Sequence, residues 1–486
     1  METWLDAYAA RAFDDRPAVV EPGRVLTSRE LTALAASANR WLDTIGAPAG
    51  RPLAALVSTT TEAFALTIAG AASGRPIAPL GTRLTATEVM RSLATLEPGA
   101  LIAEPDAHQL AIEAAGDSGL AVHRHPVFEP GSAAIELTAP IEAAAAVLHT
   151  SGTSGEPKPV PYPQHRLLLR TRVNSAILGL GDGCVYATAS PFHHIAGLGM
   201  LFVALGAGAA LCPLSRFTAD SWDEVIGRGT THALLVPSMI DRLLDDRRLA
   251  RGQLRCLQYG ASRIDPGTLR RLLDALPGLD LVQIYGQTEG SPITALTTDD
   301  HRAAAAGEER LLASAGTAAP GVSLRIAHPD ETGVGEVWAR ADHLMKPDPD
   351  GWLRTGDLGR IDEGGYLTLV GRKGDMIIRG GENVYPVEVE DVLRRHAAVA
   401  DVAVVGAPDQ RLGQVVVAHI VARDPADPPD VADLRAHARA VLAGFKVPER
   451  WEFTRELPRN AAGKVLKRSL IPPSPPPASQ GEHPRP

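Results

Sequence analysis

The chain has 486 residues, 45% of them apolar and 22% charged, which is the balance of a globular protein of about two to four domains. It carries 48 basic and 57 acidic residues, a net charge of −9, and no extended run of Lys or Arg. This net negative charge argues against nucleic acid or an anionic membrane surface as a partner, because both are negatively charged.

The cysteines and the N-terminus bear on the cellular compartment. Cys184, Cys212 and Cys256 fit no zinc or redox spacing, so we expect buried thiols in a reducing, intracellular setting. Residues 1–6 lack the basic and apolar segments of a signal peptide, and a cytoplasmic location is expected. Residues 195–215 carry no charge, but their glycines and closing proline favour a buried helix followed by a buried strand over a membrane span.

Helical and β-rich patterns alternate along the first 285 residues. Helical patterns are predicted over 31–42, 62–72, 238–244 and 266–276. Buried strands are predicted over 52–57, 77–80, 144–148, 233–236, 254–259 and 281–285. Because strands that alternate with helices usually pair in parallel, this pattern predicts an α/β fold with largely parallel sheets covered by helices.

The pattern changes near Thr317, where the chain becomes Gly-rich. Short strands are predicted at 335–338 and 366–370, followed by a compact α+β unit with a helix at 386–395, strands at 402–405 and 414–421, and a helix at 430–442. Four segments follow from this: an N-terminal domain over 1–370, a hinge over 371–375, a small mobile C-terminal domain over 376–470, and a disordered Pro-rich tail over 471–486.

A segment rich in glycine and hydroxyl groups occupies residues 149–158, directly after the apolar strand at 144–148. Glycines let such a loop fold tightly with its N–H groups inward, and hydroxyls and a lysine add donors for phosphate oxygens. The Walker A pattern is not met. The candidate phosphate-binding residues are Thr150, Ser151, Gly152, Thr153, Ser154, Gly155 and Lys158.

Further motifs follow this loop in order. They are Pro-Phe-His-His-Ile-Ala-Gly at 191–197, Tyr-Gly-Ala-Ser at 259–262, Tyr-Gly-Gln-Thr-Glu at 285–289, Trp-Leu-Arg-Thr-Gly-Asp-Leu at 352–358, Gly-Arg-Lys-Gly-Asp at 371–375, Gly-Gly-Glu-Asn-Val-Tyr-Pro at 380–386 and Pro-Arg-Asn-Ala-Ala-Gly-Lys at 458–464. Together with the loop, they resemble the motif set of the AMP-forming adenylating superfamily, which comprises acyl-CoA synthetases, adenylation domains and luciferases. The resemblance covers residues 20–470.

The resemblance implies a reaction in two steps, most simply that of an acyl- or aryl-CoA ligase. A carboxylate attacks the α-phosphorus of ATP and expels pyrophosphate, and a thiol then attacks the acyl-adenylate and expels AMP. Neither step needs a covalent enzyme nucleophile, so positioning and charge stabilisation supply the catalysis. The alternatives are a stand-alone enzyme that loads a carrier protein, an amide-forming ligase with an amine acceptor, a luciferase-like oxygenase and an inactive ligand-binding homologue.

The resemblance also implies roles for single residues in adenylation. Lys464 would bridge the substrate carboxylate and the α-phosphate as a compact positive charge. Glu289 would hold Mg²⁺, which prefers carboxylate oxygen, and Thr288 would donate to the α-phosphate. Tyr285 would stack on adenine, and Asp357 would accept from the ribose hydroxyls. The remaining ATP- or AMP-binding candidates are Gly260, Ala261, Ser262, Gly286 and Arg372.

The acid pocket is implied to lie beside the histidine motif. His194 would line this pocket and gate it from the thiol tunnel, whereas adjacent histidines make a poor metal pair. No acidic residue is present here to pair with an α-amino group, and Ile195 stands where enzymes for hydroxybenzoates have asparagine. An apolar acid, aromatic or aliphatic, is therefore favoured over an amino acid. The pocket candidates are His194, Ile195, Gly197, Ala261, Ile284, Gly286 and Ser291.

The thioester half of the reaction is implied by the last motifs. Gly380 and Gly381 would let the backbone approach the phosphopantetheine arm of coenzyme A. Because the two halves need different active sites, the small domain is expected to rotate about the hinge, with the active site between the domains. Gly374 takes the position where the family usually has Asp or Lys, so the second half-reaction is less firmly implied than the first. The motifs specify neither the acid nor the oligomeric state.

Overall fold

The structure is a computed structural model of the chain. It describes residues 2–131, 134–151, 157–249, 252–345, 347–459 and 465–471. The chain divides into two compact units. The first unit comprises 1–325, 338–355 and 361–368, and the second comprises 326–337, 356–360 and 369–486. The domain and hinge bounds predicted from the sequence stay a prediction.

Helices and strands alternate through most of the chain. From the N-terminus to residue 151 the elements are α1 (Trp4–Ala9), β1 (Pro17–Glu21), β2 (Arg24–Thr27), α2 (Ser28–Thr44), β3 (Leu53–Leu56), α3 (Thr61–Ala72), β4 (Ile77–Leu80), α4 (Ala86–Leu96), β5 (Ala100–Ala103), α5 (His108–Ala115), β6 (Val122–Arg124) and β7 (Ala144–Ser151). To residue 318 they are β8 (Pro157–Pro163), α6 (Gln164–Leu178), β9 (Val185–Thr188), α7 (Leu198–Ala207), β10 (Ala210–Cys212), α8 (Ala219–Gly227), β11 (His232–Leu235), α9 (Pro237–Asp245), β12 (Cys256–Gly260), α10 (Pro266–Ala275), β13 (Asp280–Gln287), β14 (Gly290–Leu296), α11 (Thr298–Ala305) and β15 (Thr317–Ala318).

Strands predominate in the remainder of the chain. They and two helices are β16 (Ser323–Ala327), β17 (Gly335–Arg340), β18 (Leu353–Ile361), β19 (Leu367–Arg372), β20 (Ile377–Arg379), β21 (Glu382–Val384), α12 (Pro386–Arg394), β22 (Val399–Asp409), β23 (Gly413–Ala422), α13 (Val431–Arg439) and β24 (Arg450–Phe453). Short 3₁₀ helices occupy Pro105–Ala107, Glu309–Ala313, Gly444–Lys446 and Lys467–Leu470. The strands predicted at 402–405 and 414–421 are the buried centres of the longer β22 and β23.

Two largely parallel sheets form the first unit, as the alternating pattern predicts. One has the strand order β15–β14–β13–β12–β11–β9–β10–β1–β2, and the other has β6–β5–β3–β4–β7–β8. The four residues of β3 show why these strands are buried on both sides. Leu53 and Ala55 belong to one apolar cluster, and Ala54 and Leu56 belong to another. Successive side chains of a strand point to opposite faces, so a continuous apolar run suits a strand with helices on both faces.

Local signals set where individual elements begin. Helix α2 begins at Ser28, before the predicted 31–42 span, because the Thr27 hydroxyl and the Glu30 carboxylate form a reciprocal N-terminal cap. The uncharged stretch at 195–215 forms the buried helix α7 and the buried strand β10, as predicted. None of the helices in the described residues combines the length and the apolar character needed to cross a bilayer.

The second unit has its own apolar core. Its sheet has the order β21–β20–β23–β22, and β24 pairs with β23. Val402 and Val404 pack into the cluster that includes α12 and α13, whereas Val405 and Val417 face a second cluster. A further sheet has the order β16–β17–β18–β19. All but the first residue of the predicted disordered tail at 471–486 lies outside the described residues.

Candidate active site

The carboxyl ends of four neighbouring parallel strands meet along one edge of the nine-stranded sheet. These strands are β9, β11, β12 and β13, paired in that order. The predicted motifs at 191–197, 259–262 and 285–289 lie at or directly after the ends of β9, β12 and β13. Ligands of open α/β sheets bind outside the carboxyl ends of the strands. We call this edge of the first unit the carboxyl edge; it brings together three motifs that are far apart in sequence.

Glycines bring backbone segments close together at the carboxyl edge. A Cβ atom on Gly260 would lie 2.6 Å from the carbonyl oxygen of Ile284 on β13. A Cβ atom on Gly286 would lie 2.7 Å from the carbonyl oxygen of Gly290 across the hairpin. Ala261 leaves β12 with a φ of 66°, a left-handed conformation that is rare for residues with a Cβ atom. The predicted nucleotide-binding and pocket residues here are therefore held on adjoining strand ends.

Two other candidates complete this group. Tyr285 is half-buried and packs against the apolar cluster of Ile293 and Leu344. The Cβ atom of Ser291 would lie 2.8 Å from a Cβ placed on Gly286, so this pocket candidate borders the β13–β14 hairpin. Ser262 is exposed beyond the end of β12.

Thr288 and Glu289 form the two-residue tip of the β13–β14 hairpin. The hydroxyl of Tyr162 donates to the Thr288 carbonyl oxygen at 2.5 Å, and the Met345 amide donates to the Glu289 carbonyl oxygen at 2.9 Å. Burial raises the pKa of Tyr162, and the nearby Glu289 carboxylate raises it further, so the phenol remains a donor. The backbone of this turn is thus held from two directions, while its two side chains are half-buried.

The histidine motif forms a tight turn between β9 and α7. The His194 amide donates to the Pro191 carbonyl oxygen, and the Gly197 amide donates to the His194 carbonyl oxygen. The rings of His193 and His194 lie 4.2 Å apart between centroids. Burial lowers the pKa of His193 to about 3 and lowers that of His194, so both rings are neutral near pH 7. The Nε2 atom of His194 is buried and has no hydrogen-bond partner within the described chain.

The apolar pocket candidates meet in one cluster. Ile284 belongs to the main core cluster, and Ile195 packs against the same cluster. Gly197 borders a cavity of about 10 Å³, which Phe192 and Tyr186 also line. This volume is on the order of one water molecule.

The predicted phosphate-binding segment lies on the β7–β8 hairpin. Strand β7 continues through Ser151, three residues beyond the predicted end, and Thr150 pairs with Lys158 across the hairpin. Lys158 is exposed, and Thr150 is half-buried. Gly152, Thr153, Ser154 and Gly155 lie outside the described residues. The same hairpin carries Tyr162, so its far strand is hydrogen-bonded to the Thr288–Glu289 turn of the other sheet.

Two predicted ribose-binding residues are paired in the second unit. Asp357 lies on β18, and Arg372 ends β19. The Nε atom of Arg372 lies 2.7 Å from Oδ1 of Asp357, and the Asp357 side chain is 10% exposed. The adjoining Lys373 amide donates to the Gly356 carbonyl oxygen, which connects the ends of the two strands. The carboxylate is therefore oriented by a cation before any ligand binds.

The other predicted residues of the second unit lie in turns. Gly374 occupies a turn closed by a bond from the Asp375 amide to the Arg372 carbonyl oxygen, and a Cβ atom on Gly374 would meet nothing within 4 Å. Gly380 and Gly381 form the two-residue tip of the β20–β21 hairpin with φ values of 59° and 91°. This left-handed pair suits a tight hairpin turn, so local geometry alone accounts for both glycines. Lys464 lies outside the described residues.

Several neighbours of the site carry no signal in the sequence. Tyr162 is a single tyrosine in a strand, and only the folded chain brings it to Thr288, 126 residues away. Gly81 follows β4, and a Cβ atom there would lie 2.8 Å from the ring of His193. No local pattern marks these residues, because their importance comes from contacts between the two sheets.

A sequence model of the AMP-binding enzyme family matches residues 6–347, and a model of the AMP-binding enzyme C-terminal domain matches residues 388–464. A fatty acid–[acyl-carrier-protein] ligase, ScoC of Streptomyces coeruleorubidus, is 32% identical over 93% of this chain and 92% of its own length. An indoleacetate–CoA ligase of Aromatoleum aromaticum is also 32% identical, over 96% of both chains.

A solved structure is similar over nearly the same length. The amide bond synthetase McbA from Marinactinospora thermotolerans has a TM-score of 0.84 and 31% identity, covering 96% of this chain and 99% of its own. The order of the motifs, the carboxyl edge and these similarities all indicate the same family. The chain belongs to the AMP-binding enzyme family.

Proposed function

We propose that this enzyme joins a carboxylic acid to AMP from ATP, with release of pyrophosphate, and then transfers the acyl group to coenzyme A. The observation that carries the proposal is the carboxyl edge, where the Thr288–Glu289 turn, the histidine motif and the end of β12 meet in one unit. Similarity to an indoleacetate–CoA ligase along nearly the whole chain supports coenzyme A as the acceptor.

In the first step, an oxygen of the substrate carboxylate attacks the α-phosphorus, and the bond to pyrophosphate breaks. Thr288 would donate to an α-phosphate oxygen from a turn whose backbone is already held in place. Lys464 would neutralise the negative charge that gathers between the carboxylate and the phosphate. His194, neutral because burial lowers its pKa, would line the acid pocket without attracting the carboxylate away from the phosphate.

Glu289 would hold Mg²⁺ against the phosphates. Among the described residues no three His, Cys, Asp or Glu side chains form a group that could hold a metal ion. A single carboxylate, that of Glu289, fits Mg²⁺, because this ion keeps several waters and binds through one or two carboxylates together with substrate phosphates. When bound, the ion would offset the charge of the phosphates and orient them.

The nucleotide and the thiol would contact the remaining candidates. Tyr285 would stack on adenine, and Asp357, which is paired with Arg372, would accept from the ribose hydroxyls. The Gly380–Gly381 turn would allow the phosphopantetheine arm to approach the backbone closely. In the second step the thiol sulfur attacks the acyl carbon, and the bond to AMP breaks.

Two other acceptors have specific support. The similarity to ScoC supports a carrier-protein thiol, and the similarity to McbA supports an amine. Both alternatives share the adenylation half, so they differ only in what attacks the adenylate. A cytoplasmic location is consistent with three buried free cysteines and stays a prediction.

The test is ATP–pyrophosphate exchange across aryl, short-chain, medium-chain and amino acids, followed by product analysis with coenzyme A, a carrier protein or an amine. We expect at least one acid to drive exchange and to yield its CoA thioester. Exchange without a CoA thioester would show that the acyl group goes to a different acceptor, either a carrier-protein thiol or an amine.

The same exchange assay tests Lys464. We expect Lys464→Ala to lower exchange on the order of hundredfold or more and to leave ATP binding intact, because the charge acts in the transition state. Arg468→Ala removes an exposed cation four residues further along and serves as the matched control. Normal exchange in Lys464→Ala would contradict the assigned role.

A further inference from the structure

A buried arginine lies on helix α6 beside the segment that carries the predicted acid pocket. Arg170 is 2% exposed, and its Nη1 atom donates to the Gly199 carbonyl oxygen at 2.6 Å. Its Nε atom is buried without a hydrogen-bond partner among the described residues. No ion pair to Arg170 is formed within the described ranges either. The side chain therefore has fewer acceptors than a buried guanidinium normally has.

The guanidinium reaches the histidine-motif side of the predicted pocket. A Cβ atom on Gly199 would lie 2.6 Å from Cδ1 of Ile195 and 3.0 Å from Nη2 of Arg170. The missing side chain at Gly199 thus lets the pocket isoleucine and the guanidinium approach the same point. Tyr186, which lines the cavity beside Gly197, also lies close enough to Arg170 for their charges to interact.

A second segment that carries a pocket candidate, β14, lies near the same helix. Helix α6 packs against β14, which carries Ser291. The Nε2 atom of His343 donates to the neighbouring Pro292 carbonyl oxygen at 2.8 Å. Burial chiefly lowers the pKa of His343, and the positive charge of Arg170 lowers it further. Arg170 therefore lies near both segments, the histidine motif and β14.

A buried guanidinium that lacks a counter-charge is costly to keep. Its five donors form a rigid fork that matches two oxygens of one anion, which a lysine ammonium does not. The cost is offset if a ligand brings the missing acceptors. Apart from His194, the pocket candidates are apolar or small, so the ligand that fits has an apolar body and a polar far end.

We propose that Arg170 is a specificity-determining residue that binds a second anionic group, a carboxylate or a sulfonate, on the acid that the enzyme adenylates. This proposal rests on the proposed function, because it names the class of acid used in that same reaction. It changes the expected substrate from a wholly apolar acid to one with an apolar body between two anionic ends. The bond from Arg170 to Gly199 then fixes the direction of the guanidinium.

The experiment compares acids of matched body in ATP–pyrophosphate exchange. One set is hexanoate, adipate and 5-sulfopentanoate; the other is 3-phenylpropionate with its para-carboxy and para-sulfo derivatives. We expect the wild-type enzyme to prefer doubly anionic acids by roughly tenfold to hundredfold in kcat/KM, the usual range for a charge-assisted hydrogen bond. Comparison of the carboxylate and sulfonate members identifies which anion is used.

Two variants separate specificity from a structural role. Arg170→Met should lose the preference and gain relative activity with the apolar acids, and Arg170→Lys should keep part of the preference. Arg166→Met is the matched control. Arg166 is half-buried on the same helix, and its Nη1 donates to the carbonyl oxygens of Asp342 and Leu344. Arg166→Met should leave the order of preference among the acids unchanged.

The outcomes distinguish the two proposals. If no acid supports exchange, the proposed function itself is wrong. If apolar acids support exchange as well as the doubly anionic ones, or if a folded Arg170→Met loses activity equally with both, the Arg170 proposal is wrong and adenylation stands. If Arg170→Met does not fold, the wild-type order of acids together with Arg170→Lys decides the matter.

Discussion

Two hairpin turns of two residues each carry predicted site residues, and they differ in how they are held. The Thr288–Glu289 turn accepts hydrogen bonds at both of its carbonyl oxygens, from the Tyr162 hydroxyl and the Met345 amide. In the Gly380–Gly381 turn, the Gly380 amide instead donates to the Leu412 carbonyl oxygen at 2.7 Å. A Cβ atom on Gly381 would meet nothing within 4 Å in the described structure.

The difference matches the two kinds of ligand expected at the turns. Phosphate chemistry depends on donors and charges that are in place before the reaction, so a turn anchored by buried groups is suitable. A long, flexible thiol arm needs open backbone, and glycines leave that space free. The same contrast extends to charge, because the carboxyl edge holds neutral, half-buried histidines, whereas Arg372 of the second unit is 44% exposed.

The largest expected effect comes from the anchored turn. Glu289→Gln keeps the size of the side chain but removes the negative charge offered to Mg²⁺. We expect exchange to fall on the order of hundredfold, with a higher requirement for Mg²⁺. Initial rates over a Mg²⁺ series measure both quantities. Glu363→Gln, at an exposed position of the same unit, is the control, and an unaltered Mg²⁺ requirement in Glu289→Gln would contradict the role.

The open turn should affect the other half-reaction. Gly381→Leu places a side chain at a φ of 91°, where strain costs roughly 1–2 kcal/mol, and fills the approach of the thiol arm. We expect thioester formation to slow about tenfold relative to exchange. Single-turnover thioester rates beside exchange rates give the ratio.

Two variants control for the strain itself. Gly365→Leu puts a leucine at a φ of 81° in another open turn, and Gly381→Asn tolerates the left-handed conformation with a smaller side chain. Gly365→Leu should leave the ratio of the two half-reactions unchanged. If Gly381→Leu slows exchange and thioester formation equally, the assignment of the two turns to different steps is wrong.

Loosening the anchored turn should have a smaller effect. Tyr162→Phe leaves the Thr288 carbonyl oxygen without its side-chain donor, at a cost of about 1–3 kcal/mol in the free energy of unfolding. We expect a lower melting temperature and exchange reduced by roughly tenfold or less. Tyr366→Phe also removes a hydroxyl, which donates to Asp300 at 2.6 Å, and should lower stability without affecting exchange. Equal exchange in both variants would show that anchoring does not matter for catalysis.

The weakest effect on rate, but a clear one on stability, is expected from pH. Burial lowers the pKa of His149 to about 4 and that of His193 to about 3, from 6.5 in the unfolded chain. Their stabilising contribution is therefore complete above pH 6.5 and is lost as pH falls toward those lower values. Each histidine adds a slope of about 1.4 kcal/mol per pH unit within that window.

Urea unfolding between about pH 7.5 and pH 5 measures this slope. His193→Gln should give a shallower dependence on pH than the wild type. His193 lies at the carboxyl edge and His149 lies on β7, so both of these acid-sensitive groups belong to the first unit. A wild-type stability that is independent of pH over this range would contradict the buried, neutral state of these rings.

The sequence by itself determined the family and the type of sheet. Motifs such as 285–289 are contiguous, and apolar runs such as 77–80 reveal a buried strand without knowledge of its neighbours. Both kinds of signal are local, so they can be identified in an isolated segment. The same local character explains why the ends were less accurate, since β7 gains three residues only through pairing with β8.

Only the tertiary structure decided which buried groups surround those motifs. Tyr162 meets Thr288 across 126 residues, and Arg170 meets Gly199 across 29. Neither residue belongs to a motif, because one hydrogen bond between distant elements leaves no periodic pattern in the chain. Such contacts arise when helices and sheets pack, and packing depends on side-chain shape at sites that are far apart in sequence. The motifs thus indicate the reaction, and the fold indicates which residues hold and select its substrate.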